Sequence, residues 1–248
     1  MSFLKGIFKS KPKLDPMDFG RFGVDIHSHL IPGIDDGSPD VETSIQLIRQ
    51  FKEMGMNKVV TTPHVMNDYY KNTPDTILGG LDTVRNELAQ QNISFEIEAA
   101  AEYNLDDGLA GLIEKKEILT FGDNYVLFEL PFMSEPPNFQ EIVFEFQMAG
   151  YKPILAHPER YSYWYTDKEK YDELKSKGIL LQLNLLSLTG HYSPQTRKVA
   201  EKMIEAQQID AVGTDCHRIE HLYMLRDHLN LPHIHQLAEQ ENLLNKKI

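Results

Sequence analysis

Residues 152–160 read Lys152-Pro153-Ile154-Leu155-Ala156-His157-Pro158-Glu159-Arg160. An apolar run of strand length passes directly into an imidazole, a carboxylate and a guanidinium, as expected where a buried strand opens at its carboxyl end onto a polar site. The pattern recurs on both sides. Further runs lie at Val24–Ser28, Lys58–Thr62, Phe95–Ala101, Tyr125–Glu129, Leu180–Asn184 and Asp210–Thr214, separated by longer segments of helical period. Seven runs alternating with helices predict an α/β fold on parallel strands, either an imperfect barrel or an open sheet, and periodicity leaves both open. Ser38-Pro39, Thr73-Pro74 and Ser193-Pro194 each place a capping residue before a proline suited to the first helical position. The helix after Ser38 carries Val41, Ile45, Leu47, Ile48 and Phe51 on one face, and the helix after Ser193 carries Val199, Met203 and Ile204. Pro136-Pro137 and Tyr161–Tyr165 read as loops.

Composition excludes several classes. The chain has 248 residues, 41% hydrophobic, with no low-complexity tract, so it buries a sizeable core rather than remaining disordered. No apolar run approaches the ~18 residues of a membrane span, and the N-terminus lacks signal-peptide features, which predicts a cytoplasmic protein. A net charge of −12 argues against holding a nucleic-acid backbone. The charge is uneven: residues 1–21 carry Lys5, Lys9, Lys11, Lys13 and Arg21 against Asp15 and Asp18. This segment reads as a basic N-terminal tail before one domain at residues 22–248. Phe3, Leu4, Ile7 and Phe8 interleave with its lysines, a pattern suited to weak membrane-surface contact as well as to a loosely docked terminus. The single cysteine, Cys216, forbids an internal disulfide and a Cys-rich zinc site. Any metal must be held by nitrogen and oxygen.

The residues after each run carry the functional argument, because ligands collect at the carboxyl ends of parallel strands. The ends read Asp25-Ile26-His27-Ser28-His29, Thr62-Pro63-His64, Ala101-Glu102, Phe128-Glu129, Ala156-His157 and Thr214-Asp215-Cys216-His217, whereas Leu183-Asn184 offers an amide. Asp36 follows the first of them. Side chains two apart on a strand share a side, so His27 and His29 face together, as do Asp215 and His217 if the strand extends that far. A lone histidine is ordinarily a hydrogen-bonded residue rather than a ligand. Nine imidazoles and carboxylates at six strand ends are different, since buried polarity and like charge of this density require cations. Nine ligands exceed the needs of one ion. Two or three divalent metals are expected, manganese first, with iron or zinc as alternatives.

These residues carry a resemblance. Asp25-Ile26-His27-Ser28-His29, Asp35-Asp36-Gly37, Thr61-Thr62-Pro63-His64, Glu102, His157-Pro158-Glu159-Arg160 and Asp215-Cys216-His217 together resemble the PHP (polymerase and histidinol phosphatase) superfamily. Within it the chain is similar to bacterial protein-tyrosine phosphatases encoded with capsular or exopolysaccharide genes. The resemblance implies a distorted seven-stranded β/α barrel. It also implies a three-metal cluster held by His27, His29, Asp36, His64, Glu102, Glu129, His157, Asp215 and His217. Spacing alone does not choose Asp36 over Asp35; the resemblance does. It implies as partner a membrane-associated tyrosine kinase of polysaccharide export, and hence a cytoplasmic location, peripheral at the inner membrane.

The expected chemistry is hydrolysis of a phosphate monoester by a hydroxide bridging the metals, with Arg160 binding the phosphoryl oxygens. Phenol, with a pKa of about 10, leaves without much protonation, consistent with phosphotyrosine. The family carries a further arginine after the final ligands. Here residues 215–222 read Asp-Cys-His-Arg-Ile-Glu-His-Leu, which leaves Arg218 to serve that role or to flank a helix. Tyr161, Tyr163, Trp164 and Tyr165 stack on a phenolic substrate or pack onto the domain; Tyr161 is the candidate contact. Cysteine-based phosphatase chemistry is excluded, because the residue six after Cys216 is Leu222 rather than arginine. Cys216 is expected to be a buried filler, Asp35 and Glu159 supporting residues, and His233 and His235 surface positions. Two rival functions stand beside the tyrosine phosphatase: a phosphatase for a small molecule such as histidinol phosphate, or a phosphodiesterase, and a non-catalytic metal-stabilised module that binds phosphoproteins.

Overall fold

The computed structural model describes residues 14–167 and 169–248. The apolar positions Phe3–Phe8 of the basic tail lie outside the described residues. Met17, Phe19 and Phe22 are buried in the core, and the Met17 N–H donates to Leu229 O at 3.2 Å. The packed body therefore reaches back before residue 22, because this short segment supplies three large apolar side chains.

Among the described residues there are eight short strands: β1 (Lys58–Thr61), β2 (His64–Val65), β3 (Glu96–Ala99), β4 (Glu102–Asn104), β5 (Tyr125–Glu129), β6 (Lys152–Ala156), β7 (Leu180–Asn184) and β8 (Ala211–Gly213). All pairings between them are parallel. β1 pairs with β3, and the second sheet runs β2-β4-β5-β6-β7-β8. The expectation of seven strands is corrected to eight in two sheets. Pro63 has no N–H to donate and divides β1 from β2. The facing run likewise splits, with β3 ending at Ala99 and β4 beginning at Glu102. Two bonds span the break: Ala100 N to Thr61 O, 2.9 Å, and Glu102 N to Pro63 O, 3.0 Å. The first expected strand, Val24–Ser28, is no ladder either. It makes one bridge to each neighbour, Asp25 with Val59 and Ser28 with Cys216, as it crosses from β1 to the chain beyond β8.

Among the described residues, eight α-helices connect and cover the strands: α1 (Val41–Glu53), α2 (Pro74–Gln90), α3 (Leu109–Lys115), α4 (Phe139–Met148), α5 (Lys170–Ser176), α6 (Pro194–Glu205), α7 (Ile219–Asp227) and α8 (Pro232–Ala238). Thr73 and Ser193 cap α2 and α6 as expected. Ser38 does not cap α1. Asp40 does, its carboxylate accepting from Thr43 N at 2.8 Å, while the Ser38 hydroxyl pairs with that of Ser44 at 2.9 Å. No described helix is long and apolar enough to cross a membrane.

Strand alternation sorts the apolar residues into two layers. Val59, Ile97, Val126, Phe128, Leu155, Leu181 and Val212 join the large core that contains the helical faces. Val24, Ile26, Val60, Ala100, Leu127, Ile154, Ala156 and Ala211 form a smaller, separate cluster on the other face. The smaller cluster plugs the sheets beneath the strand ends and leaves the polar residues above it.

Candidate metal centre

The nine residues singled out from the sequence meet. His27 and His29 come from the bridging segment, Asp36 from the turn after it, and His64 and Glu102 open β2 and β4. Glu129 closes β5, His157 follows β6, and Asp215 and His217 follow β8. Glu102 is central and fully buried. Its Oε2 lies 3.2 Å from His27 Nε2, 3.6 Å from His29 Nε2 and 3.1 Å from His64 Nδ1, while Oε1 lies 3.0 Å from His157 Nε2. Asp215 Oδ1 is 3.4 Å from each of His27 Nε2, His29 Nε2 and His217 Nδ1. Glu129 stands 3.4 Å from His64 Nδ1, and Asp36 is 3.4 Å from His217 Nε2 and 3.6 Å from His64 Nε2. Asp36, not Asp35, faces the cluster.

Close backbone approach makes this convergence possible. A Cβ on Gly213 would lie 2.5 Å from the Cβ of His27, and one on Gly37 would lie 2.3 Å from that of His29. His157 (φ 38°) and Asp215 (φ 51°) occupy the left-handed region, unusual for residues with a side chain. Each turns the chain sharply as its strand ends.

Outer contacts set the imidazoles. His27 Nδ1 donates to Gln182 Oε1 at 2.9 Å, His29 Nδ1 to Asp35 Oδ2 at 2.8 Å, and His217 Nδ1 to Asp215 O at 2.9 Å. With Nδ1 protonated, each Nε2 is left as a lone pair, and this is how outer partners orient metal-binding histidines. His27 Nε2, His29 Nε2, His64 Nδ1 and Glu102 Oε2 are buried without hydrogen-bond partners. Orphaned acceptors this close together are costly unless a cation satisfies them. The side chains also group into four sets whose ligand atoms lie within 4.8 Å of one another: His29, Asp36, His64 and His217; His27, His29 and Glu102; His27, His157 and Asp215; His64, Glu102 and Glu129. All nine fall in these sets, and nitrogen and oxygen donors without thiolate fit a divalent metal centre.

The electrostatics agree. Burial opposes charge on His27 and His29, yet Glu102 and Asp215 raise the former, and Asp215 and Asp35 raise the latter. Glu129 is pushed well up by burial and then by repulsion from Glu102. Burial takes His157 down to about 4, with Arg160 adding to the effect. The bond from His217 brings Asp36 down to about 2. Protein groups alone leave these acids and bases sharing protons, and cations held among them would replace those protons.

A cavity of about 380 Å3 opens above the cluster. Arg160 reaches it with its guanidinium packed against two rings, 4.7 Å from the centroid of Phe132 and 4.1 Å from that of Tyr192. Its Nη1 donates to Asp215 Oδ2 at 2.8 Å, and Asn184 Nδ2 donates to the same oxygen at 2.8 Å. Glu159 lies beneath, accepting from Asn184 N at 3.0 Å and Ser187 Oγ at 2.7 Å, with its carboxyl pushed up to about 7 by burial. Arg218 is exposed at the cavity edge, directly before α7, and its side chain does not cap that helix.

The expected substrate contact of Tyr161 is corrected. The residue is fully buried, its hydroxyl donating to Ala156 O at 3.1 Å and accepting from Leu130 N at 2.9 Å, so it braces the loops below the cavity. The aromatic lining comes instead from Tyr70, Phe132 and Tyr192, with His191 and His221 beside them. None was anticipated. Only Phe132, three residues beyond Glu129, bears a readable strand-end signal. Cys216 is fully buried, and burial raises its thiol pKa. His233 lies near Glu201 and Glu205, and His235 bonds to Leu229 O, both away from the cluster.

Parallel strands that gather imidazoles and carboxylates below an arginine-lined cavity define a metal-binding α/β protein with a site suited to phosphate esters. Within that class the chain belongs to the capsular polysaccharide synthesis family CpsB/CapC, whose family model matches residues 23–224. It is 28% identical to the tyrosine-protein phosphatase YwqE of Bacillus subtilis over 230 residues, covering 89% of this chain and 91% of that protein. It is 27% identical to the tyrosine-protein phosphatase CpsB of Streptococcus pneumoniae over 206 residues, covering 79% and 84%. A crystal structure from work on YwqE and CpsB, described as metal-dependent tyrosine phosphatases, matches with a TM-score of 0.76 at 27% identity over 90% of this chain and 94% of the other. The histidinol phosphate phosphatase of Lactococcus lactis shares the fold, with a TM-score of 0.54 at 12% identity, over 84% of this chain and 92% of that one. The resemblance seen in the motifs thus holds at the level of the family.

Proposed function

We propose that this protein is a metal-dependent protein-tyrosine phosphatase. The carrying observation is the set of unpartnered ring nitrogens and carboxylate oxygens around Glu102, directly below a cavity that Arg160 enters. His27, His29, Asp36, His64, Glu102, Glu129, His157, Asp215 and His217 would hold two or three divalent ions, manganese being the first candidate. Such ions lower the pKa of water toward neutrality and neutralise phosphoryl charge. Arg160 binds the phosphoryl oxygens through the free edge of its guanidinium, since Phe132 and Tyr192 pack against it and Nη1 is held by Asp215. Arg160 and Asn184 engage Asp215 Oδ2, which leaves Oδ1 directed at the imidazoles. Arg218 is the second cation available to the phosphate.

The substrate is a phosphotyrosine protein, and the family's part in capsular polysaccharide synthesis favours a membrane-associated tyrosine kinase of that system. On this reading the enzyme works in the cytoplasm, with the basic residues ahead of the packed Met17 next to the inner membrane. The bridges of Asp25 and Ser28, and the inner apolar cluster that joins Val60 of β1 in one sheet to Leu127, Ile154, Ala156 and Ala211 of the other, support reading the two sheets as one distorted barrel. Phosphate release by manganese-loaded protein from phosphotyrosyl peptides and from histidinol phosphate tests the assignment. Preference for the peptides is expected. Much faster turnover of histidinol phosphate would replace it with a small-molecule phosphatase, and metal binding with turnover of neither would favour a binding module.

A further inference from the structure

Two rings in the cavity wall rest on metal-facing imidazoles. Tyr70 stacks on His64 with centroids 5.7 Å apart and planes 13° from parallel, and Phe132 stacks on His157 at 5.7 Å and 22°. Those imidazoles approach the same two carboxylates, Glu102 at 3.1 and 3.0 Å and Glu129 at 3.4 and 3.7 Å. Both rings therefore stand beside one carboxylate pair and line the same cavity. Phe132 is 42% exposed although it lies in a cavity wall, and Met133 beside it is 93% exposed. Their loop is bounded by Pro131 and by Pro136-Pro137, which restrict its backbone. Apolar side chains kept in water at the mouth of a polar site mark a place where an apolar group of the ligand docks.

The geometry points to Tyr70 and Phe132 as a specificity-determining slot that receives the aromatic ring of an aryl phosphate, so that the site selects aryl over alkyl phosphate esters. The inference rests on the phosphatase reading and adds to it the feature of the ester that is recognised. A substrate ring against either of these aromatic walls gains offset or edge contacts that an alkyl chain does not. The phosphoryl oxygens are left to Arg160 and the metal centre, which bind them whatever group the ester oxygen carries, so a leaving-group effect on rate is common to wild type and variants and cancels when their aryl-to-alkyl ratios are compared.

The test compares kcat/KM for phenyl phosphate and for glycerol phosphate in the manganese-loaded wild-type and Phe132→Ala proteins, with Tyr70→Ala as the second variant. The expected result is a fall in the aryl-to-alkyl ratio of about five- to tenfold in each, or about 1–1.4 kcal/mol at 1.4 kcal/mol per tenfold. A role limited to bracing His157 or Arg160 would lower both rates in parallel and leave the ratio intact, which overturns the inference. Binding supplies a readout independent of turnover. Calorimetry should show phenylphosphonate bound more tightly than methylphosphonate by wild type, with the gap narrowed in both variants. An unchanged gap sinks the slot even if the enzyme is a tyrosine phosphatase. A narrowed gap without hydrolysis of phosphotyrosyl peptides sinks the phosphatase reading while the slot stands.

Discussion

Asp35 does not face the metal-ligand cluster, yet its replacement by alanine should weaken metal binding. One carboxylate oxygen accepts from His29 Nδ1 at 2.8 Å and from His64 N at 3.1 Å, and the other accepts from Gly37 N at 3.0 Å. Asp35→Ala removes three acceptor contacts from the only turn that places Asp36. Leaving a buried donor unpaired costs about 1–3 kcal/mol. His29 can turn its ring, and the loop can admit water to the two backbone groups, so the loss of stability should be about 2–4 kcal/mol. The larger effect is on affinity. With its outer partner gone, His29 no longer has its Nε2 fixed as the inward lone pair, and such losses weaken metal binding about 10- to 100-fold. Manganese titration by calorimetry, with stoichiometry from elemental analysis, measures this directly. Asp35→Asn, which keeps an acceptor but loses the charge, should fall between. Wild-type manganese affinity in Asp35→Ala would refute the argument that this carboxylate sets the His29 ring.

Arg160→Ala should lower kcat/KM for phosphotyrosyl peptides about 100- to 1,000-fold with metal content retained, and Arg160→Lys should restore little because lysine lacks the planar fork; steady-state kinetics with elemental analysis separates the two effects. Chelation should destabilise the fold, since each ion held at a hundred times its Kd contributes about 2.7 kcal/mol. Calorimetric melting should show Tm falling by roughly 5–10 °C per ion in a chain of this size, and an unchanged Tm would argue against resident metal. Cys216→Ala should cost about 1 kcal/mol in denaturant unfolding and keep its turnover. Abolished turnover in a folded Cys216→Ala protein would return the thiol to the chemistry.

The centre was legible in the letters because each contributing residue lies within a few positions of an apolar run, and parallel strands bring such positions to one end. Eight of the nine side chains needed no knowledge of loop paths; Asp36, in a turn beside Asp35, was separated from its neighbour only by the family resemblance. Boundaries were less legible. Val24–Ser28 has the composition of a strand, but ladder length depends on what lies opposite, and its neighbours are separated from it by over thirty and nearly two hundred residues. Asp40 displaced Ser38 as a cap because two competent oxygens stood two residues apart. Tyr192 reaches Arg160 from the loop before α6, a position with no periodicity to mark it, and the run of aromatics from Tyr161 gave no indication of which ring turned inward.

His157 and Asp215 leave their strands in a backbone geometry that L-amino acids adopt at a penalty of roughly 1–2 kcal/mol. A redesign guided by thermal robustness would therefore favour glycine at both positions, where the backbone would relax. It would report improvement while erasing two of the nine side chains proposed to hold the metals. Thermal ranking of variants is misleading at these two sites, and turnover is the safer criterion for accepting a change there.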